Sequence, residues 1–394
     1  MEKTRAGSLK YGVGGSEHFV DSSITTTPAV DLTAVVITRN EEERIEECLR
    51  STFAAIEEAQ ARGVIRTAEI LLVDSASTDR TVEIARRFAV DIIQLPATWT
   101  LSAGAGSLTG LRNARGTFTA ILNGDMSIDR RWFVDALPYL TAGVGGLIGV
   151  AKEDLRGRTL VERFVRRSSN APLSIGTLSS EIATHPGGYS LGTFLLRTDA
   201  ARKVGGYNPY YRAAEDTEMR YHLESAGLKV LNVPVLQGVH YWSDAHEPLD
   251  VLPYYRTLYR NSVGLGQVSR GNRSSDRATA RRATQDCLNA RILRQVTAGL
   301  LGLAWAALHA ATLAAIRPDL LGILLIGDAL AVFLSSQRAR VAGSPVRDHL
   351  FATAGSPLPF ALVRVAGFLR GLLLPRRRPE DYPVAPRAGR TAGT

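Results

Sequence analysis

The chain is predicted to fold as an α/β domain, a Rossmann-like, mostly parallel sheet covered by helices, followed by a helical C-terminal region. Three observations carry this expectation. Short, mostly apolar, β-rich runs at 32–37, 69–73, 91–95 and 118–122 alternate with stretches of helical periodicity. Such runs suit strands buried on both faces, and the alternation suits a parallel sheet with crossover helices. Finally, a polar cluster follows each of three strands: Thr38-Arg39-Asn40, Asp74 to Asp79, and Asn123-Gly124-Asp125. Ligands of open α/β sheets bind outside the carboxyl ends of the strands, so the three clusters should meet on one edge.

With 394 residues the chain has room for one large domain plus an appendage, or for two ordinary domains. An apolar fraction of 45% against 22% charged places it among folded rather than disordered proteins. The formal net charge of +9 is concentrated after about residue 250 and favours an anionic partner. No nucleic-acid fold signature accompanies it, so nucleic acid is not expected. Cys48 and Cys287 lie far apart without ligand spacing, which gives disulfide or zinc readings little support. Met1 to Tyr11 is polar, so no secretory signal is expected there.

Taken in order, residues 1–30 lack periodicity and are expected to form a flexible lead. Leu32 to Ile37 is the first strand. Asn40 then stands at an N-cap position with Glu43 three residues on, and Ile45, Leu49, Phe53 and Ile56 give the following helix an apolar face. The second strand ends at Asp74 and leads to a helix with Val82, Ala85 and Phe88 inward. Asp91 to Leu95 forms a short third strand, and Ser102 to Arg115 a small-residue helix. The apolar run Phe118 to Leu122 stops at Asn123-Gly124-Asp125, where a turn presents polar groups. A carboxylate there can hold a hard divalent cation through oxygen.

Further on, Phe194 to Leu196 and Lys229 to Val235 read as strands. A helix from Asp216 ends at Gly227, with Met219, Leu223 and Ala226 facing the core and Asp216 at the rim. Acidic residues in a first helical turn favour the macrodipole, so from residue chemistry alone Glu215-Asp216 is either a helix start or a catalytic pair. Trp242 is either a sugar-stacking residue or a core aromatic.

The stretches VVITRNEEERIEECLRS, EILLVDSASTDRTVEIARRF and SAGAGSLTGLRNARGTFTAILNGDM resemble the family 2 glycosyltransferases of the GT-A fold. The stretch GGYSLGTFLLRTDAARKVGGYNPYYRAAEDTEMRYHLESAGLKVLNVP is similar to the acceptor half of that family. The resemblance implies a GT-A domain over 31–248 that moves a sugar, with inversion, from a nucleoside diphosphate-sugar to an acceptor hydroxyl. It implies nucleotide binding by Thr38, Asn40, Asp74 and Asp79. The family's metal-binding Asp-x-Asp falls on Asn123-Gly124-Asp125, which implies Mg²⁺ or Mn²⁺ on Asp125, with His240 as a possible further ligand. An amide replaces the first carboxylate. Asp216 falls at the general base, with Glu215 beside it, and Gly188 and Trp242 fall near donor and acceptor. The alternatives are a nucleotide-binding scaffold with a degenerate site, which Asn123 permits, and a nucleotidyltransferase.

The final third changes character. Tyr254, Tyr255, Leu258, Tyr259 and Val263 alternate with Arg256 and Arg260 at helical spacing, so 249–295 is expected to be a basic amphipathic helical linker suited to a membrane interface. Val296 to Ile316 carries no formal charge, and Leu320 to Leu334 is apolar apart from Asp328. Within 296–375 these form either a membrane hairpin followed by an interfacial helix, or soluble helices. Flanking arginines put both hairpin ends on the cytoplasmic side, with the catalytic domain, at the cell membrane. A lipid-linked or cell-envelope glycan acceptor follows as an expectation. Residues 376–394, rich in Pro, Ala, Gly and Arg, are expected to be a disordered tail.

Overall fold

The structure is a computed structural model and describes residues 30–154, 193–241, 252–271, 308, 311, 358–375 and 377–387. Among the described residues, eight strands form one sheet: β1 (Val30–Thr38), β2 (Ala68–Asp74), β3 (Asp91–Gln94), β4 (Gly116–Asn123), β5 (Met126–Ile128), β6 (Val144–Glu153), β7 (Leu195–Arg197) and β8 (Lys229–His240). Their order across the sheet is β3-β2-β1-β4-β7-β6-β8-β5. The half from β3 to β4 is wholly parallel, as the apolar runs lead one to expect. Beyond β4 the sheet is mixed: β7 is antiparallel to both neighbours, β6 and β8 are parallel, and β5 returns antiparallel on β8.

Helices cover both faces of the parallel half. Because successive side chains of a strand point to opposite faces, Ala34 and Val36 of β1 join Leu72 and Leu122 beneath α1 (Ile45–Ala61). Val35 and Ile37 join Leu71, Val73 and Ile121 beneath α3 (Ala103–Asn113). Each fully buried aliphatic side chain contributes roughly 1.5–3 kcal/mol, so a strand buried on both faces specifies its register strongly. The other helices are α2 (Thr81–Ala85), α4 (Trp132–Ala136), α5 (Thr198–Lys203), α6 (Glu215–Ser225), α7 (Leu252–Gly271) and α8 (Leu358–Leu373).

Several details depart from expectation. Helix α1 begins at Ile45 behind a turn in which the Ile45 amide bonds Glu41 O, so Asn40 is not its cap. Asn40 instead takes a left-handed conformation, φ 56°, drawn across to the loop after β2. Ala226 is exposed rather than inward, and Asp216 is buried rather than at the rim. Strands β5 and β6 carry no strong sequence signal and were not anticipated. Strand β8 runs five residues past Val235 to reach His240. Pro234 lies inside it, and the register with β6 shifts between Ile148 and Val150. A residue without an amide donor is tolerated in a strand at such an irregularity.

The tail shows the largest difference. Residues 377–387 lie against α3 and the β2–β3 edge, with Tyr382 and Ala385 buried. The Arg387 guanidinium meets Glu69 at 2.8 Å and Asp91 at 2.9 Å, and Arg112 donates to the carbonyls of Pro379 and Tyr382. Low hydrophobicity suggested disorder, but this segment is fixed by ion pairs and by one inserted aromatic. Segment 252–271 is helical as expected, yet it packs on α8 and on the loop before α6 rather than serving as a linker. Among the described residues, no helix is long and apolar enough to cross a membrane. The stretches 296–316 and 320–334 lie outside the described residues, except for Leu308 and Ala311.

Candidate active site

The parallel register brings three polar clusters to one edge. Thr38 pairs with Asp74, and Ile37 with Asn123, so the loops after β1, β2 and β4 leave the sheet side by side. Side chains stitch the first two loops together. The Asn40 amide donates to Ser77 Oγ at 2.8 Å, and the Thr78 amide to Asn40 Oδ1 at 2.8 Å. The Glu42 amide donates to Asp79 Oδ2 at 3.1 Å, while Thr81 donates its hydroxyl and amide to Asp79 Oδ1. Burial works against the Asp79 charge, but the Thr81 and Glu42 bonds outweigh it and hold the carboxyl below the usual range. Asp79 and Asn40 therefore brace the loops.

Asp74 has no exposed surface. Its carboxylate accepts from the amide of Ser77 at 3.1 Å and from the Ser77 hydroxyl, orienting a residue that lies closer to solvent. Ala76, between them, is left-handed with φ 56°. Thr38 Oγ1 is buried with no hydrogen-bond partner and faces Gly124. A buried hydroxyl in that state is costly unless a further group completes it.

The third cluster carries Asp125. Its Oδ2 lies 3.1 Å from His240 Nε2, and its Oδ1 is buried without a hydrogen-bond partner. The pairing of Met126 with His240 sets this juxtaposition. It needs a glycine at 238, because a Cβ there would come 2.1 Å from Ser127 O. Immediately after β8, Tyr241 donates its hydroxyl to Glu47 at 3.0 Å and lies under Arg44, which ties the strand end to α1. Below Asp125, burial first and the nearby carboxylate second push the Cys48 thiol up to about 12, so it is an inert core residue. Among the described residues, no three His, Cys, Asp or Glu converge into a metal site made of protein alone. A single carboxylate oxygen with a vacant lone pair does fit a cation whose other ligands are phosphates and water.

The acidic cluster sits on the first turn of α6, behind Ala214 with φ 65°. Glu215, Asp216 and Glu218 are all buried. The Asp216 carboxylate accepts from the Thr217 amide at 2.6 Å. Burial, then the charge of Asp216, raises the Glu215 carboxyl towards neutrality. Tyr207, buried beside both, is pushed up by burial and by the same two carboxylates.

Helix α3 joins the two halves of the site. Ser102 caps it, accepting from the Ala105 amide at 3.0 Å, and donates to Pro209 O at 2.7 Å. A Cβ on Gly106 would touch Ile37 at the end of β1, whereas one on Gly104 would stand 2.4 Å from Asn208 O and 3.3 Å from the Glu215 Cβ. Only small residues allow so close an approach. The run Ser102 to Gly106 was legible as a small-residue helix, but its bridging position was not. Gln267 of α7 was also missed: its side chain accepts from the Arg212 amide and donates to Tyr210 O, holding the loop before α6. Gly188 and Trp242 lie outside the described residues.

This edge, with one carboxylate open to a cation and an acidic pair at a helix start, belongs to a transferase domain. Residues 33–205 match the family described as Glycosyl transferase family 2, and this part of the chain is a family 2 glycosyltransferase domain. Among solved structures, the mannosyltransferase PcManGT from Pyrobaculum calidifontis, in complex with GDP-Man and Mn²⁺, aligns with a TM-score of 0.54 at 19% identity. That alignment covers 87% of this chain and 88% of that one, and it shows the shared fold. TarS from S. aureus aligns at 0.42 and 18% identity over 71% of this chain and 49% of that one. A comparison with curated proteins gave no match.

Proposed function

We propose that this enzyme transfers a sugar from a nucleoside diphosphate-sugar to an acceptor hydroxyl with inversion at the anomeric carbon. The single observation that carries the reading is the contact of α3 with both the end of β1 and Glu215. It joins a nucleotide edge and an acidic pair into one site. In this reading Thr38 and the Asp74-oriented Ser77 meet the nucleotide, and Asn40 and Asp79 keep their loops in register. Asp125, with His240 steadying its other oxygen, would hold Mg²⁺ or Mn²⁺, which supplies positive charge against the departing diphosphate. PcManGT, solved with Mn²⁺ and GDP-Man, supports that assignment by fold. Asp216 accepts the acceptor's proton as the new bond forms, and general-base assistance of this kind contributes about 10²–10⁴-fold. Glu215, raised to about 7 first by burial and then by the Asp216 charge, is protonated for part of the time at neutral pH, which lessens the repulsion on the Asp216 carboxylate.

The acceptor is proposed to be lipid-linked or a cell-envelope glycan, with the enzyme at the membrane and its catalytic domain on the cytoplasmic side. Support comes from α8, where Leu369 and Leu373 are 52% and 75% exposed beside exposed Arg370 and Arg377. Apolar side chains among arginines suit an anionic bilayer surface.

The test is release of nucleoside diphosphate by detergent-purified enzyme from UDP-, GDP- and dTDP-sugars with Mn²⁺ or Mg²⁺. Asp125→Ala and Asp216→Asn are each expected to lower metal-dependent turnover by about 10²-fold or more. Full activity in either variant removes that residue's role. Pyrophosphate as product would instead establish nucleotidyl transfer, and binding without turnover on any acceptor would favour the scaffold reading.

A further inference from the structure

The segment 377–387 reaches both loops that frame the site. From α8 it crosses the outer side of α3, its carbonyls held by Arg112 and Asn113. It then anchors through Arg387 on Glu69, Asp91 and the Asn113 carbonyl. Midway it inserts one side chain. Tyr382 is 2% exposed, and its hydroxyl donates to Thr100 O at 2.8 Å. Its ring meets Trp99 edge-on at 5.5 Å and Tyr210 at 5.8 Å, and Arg377 stacks on the far ring, 5.3 Å from the Tyr210 centroid. Trp99 and Thr100 belong to the loop feeding α3, and Tyr210 to the loop feeding α6. Burial, with Tyr210 next, pushes the Tyr382 phenol up to about 12, so it remains a donor throughout the working pH range.

We propose that Tyr382 is a positioning residue: inserted from the C-terminal segment, it locks the 95–102 and 207–214 loops together so that α3 and Glu215-Asp216 keep one spacing. Three contacts converge on this arrangement. Tyr382 joins the loops through its ring and hydroxyl, Ser102 joins them through Pro209, and Gln267 fixes the second loop from behind. Misplacing catalytic groups by about 1 Å can cost on the order of 10²-fold in rate. A residue remote from the chemistry can therefore control it. The kinetic half of this inference rests on the glycosyltransferase reading above, while the structural half does not.

The test uses the full-length chain as wild type, Tyr382→Phe, Tyr382→Ala and Arg387→Ala, compared by hydrogen exchange and by donor turnover. Tyr382→Ala and Arg387→Ala should accelerate exchange in 95–106 and 207–216 by about tenfold, leaving 30–61 unchanged. Tyr382→Phe keeps the ring and should affect only 95–102, by about threefold. In turnover, Tyr382→Ala should lower kcat by about tenfold with donor KM within about twofold, and Tyr382→Phe should restore most of the loss. Unchanged exchange in the two loops overturns the inference. So does acceleration spread evenly over the domain, or loosened loops with unaltered kcat. If the wild type turns over no nucleotide-sugar, the functional reading fails, and the exchange pattern still decides whether the lock exists.

Discussion

Replacing Glu69 by Gln tests whether a single carboxylate fastens the C-terminal segment to the domain. Glu69, 9% exposed at the start of β2, accepts from Thr33 Oγ1 at 2.7 Å, from the Arg115 amide at 2.9 Å and from Arg387 at 2.8 Å. Burial alone would raise its pKa. The bonds from Arg387, Thr33 and Arg115 outweigh that and bring it from 4.5 to about 2. Because the folded-state pKa is the lower one, the stabilisation is present above about pH 4.5 and disappears as pH falls towards 2. The shift corresponds to about 3 kcal/mol at pH 7 and roughly 1.5 kcal/mol near pH 3. Gln mimics the protonated carboxyl in shape, so denaturant unfolding should give a gap of about 3 kcal/mol between wild type and Glu69→Gln at pH 7. The gap should halve near pH 3. A gap of equal size at both pH values would show that the loss is steric, and would refute the electrostatic account.

The α6 cluster predicts the opposite slope. Burial raises Glu218 from 4.5 to about 7 against the pull of His222 and Tyr211. Its contribution is therefore full below pH 4.5 and lost as pH rises through 7. Melting temperature should fall less over that range in Glu218→Gln than in wild type, and parallel profiles would exclude the residue. Ala76, left-handed at φ 56°, should gain about 1 kcal/mol on replacement by Gly, read as a higher denaturation midpoint. No gain would mean that the strain is relieved elsewhere in the loop.

The parallel half of the sheet was legible because its strands are buried on both faces, and Leu32 to Ile37 or Phe118 to Leu122 have no other way to hide their side chains. The same periodicity located α1, α3 and α6 to within a few residues. Strands β5 and β6 were less visible, since short or glycine-rich segments owe their pairing to neighbours distant in sequence, whereas Phe194 to Leu196 already marked β7. The candidate residues at strand ends were legible as polar types in the right places, but their division of labour was not. That Asn40 and Asp79 brace the two loops was not legible, because hydrogen bonds between loops nearly forty residues apart leave no local pattern, and the burial of Asp74 beneath Ser77 is set by the packing around it.

By itself the sequence determined the α/β class, the meeting of three polar loops at one edge, and the placement of Asp125 and Glu215-Asp216 at element ends. These follow from periodicity and turn chemistry, which act over a few residues. Only the tertiary structure decided that α3 joins the two halves, that His240 reaches Asp125 along β8, and that 377–387 is fixed against the domain. Each depends on a close approach or an ion pair between segments far apart in the chain. The 387-to-69 pairing is the extreme case: Arg387 stands among Pro, Ala and Gly residues that carry no local signal of order, and the order comes from Glu69 and Asp91 on another surface, together with the inserted Tyr382 and the Arg112 contacts.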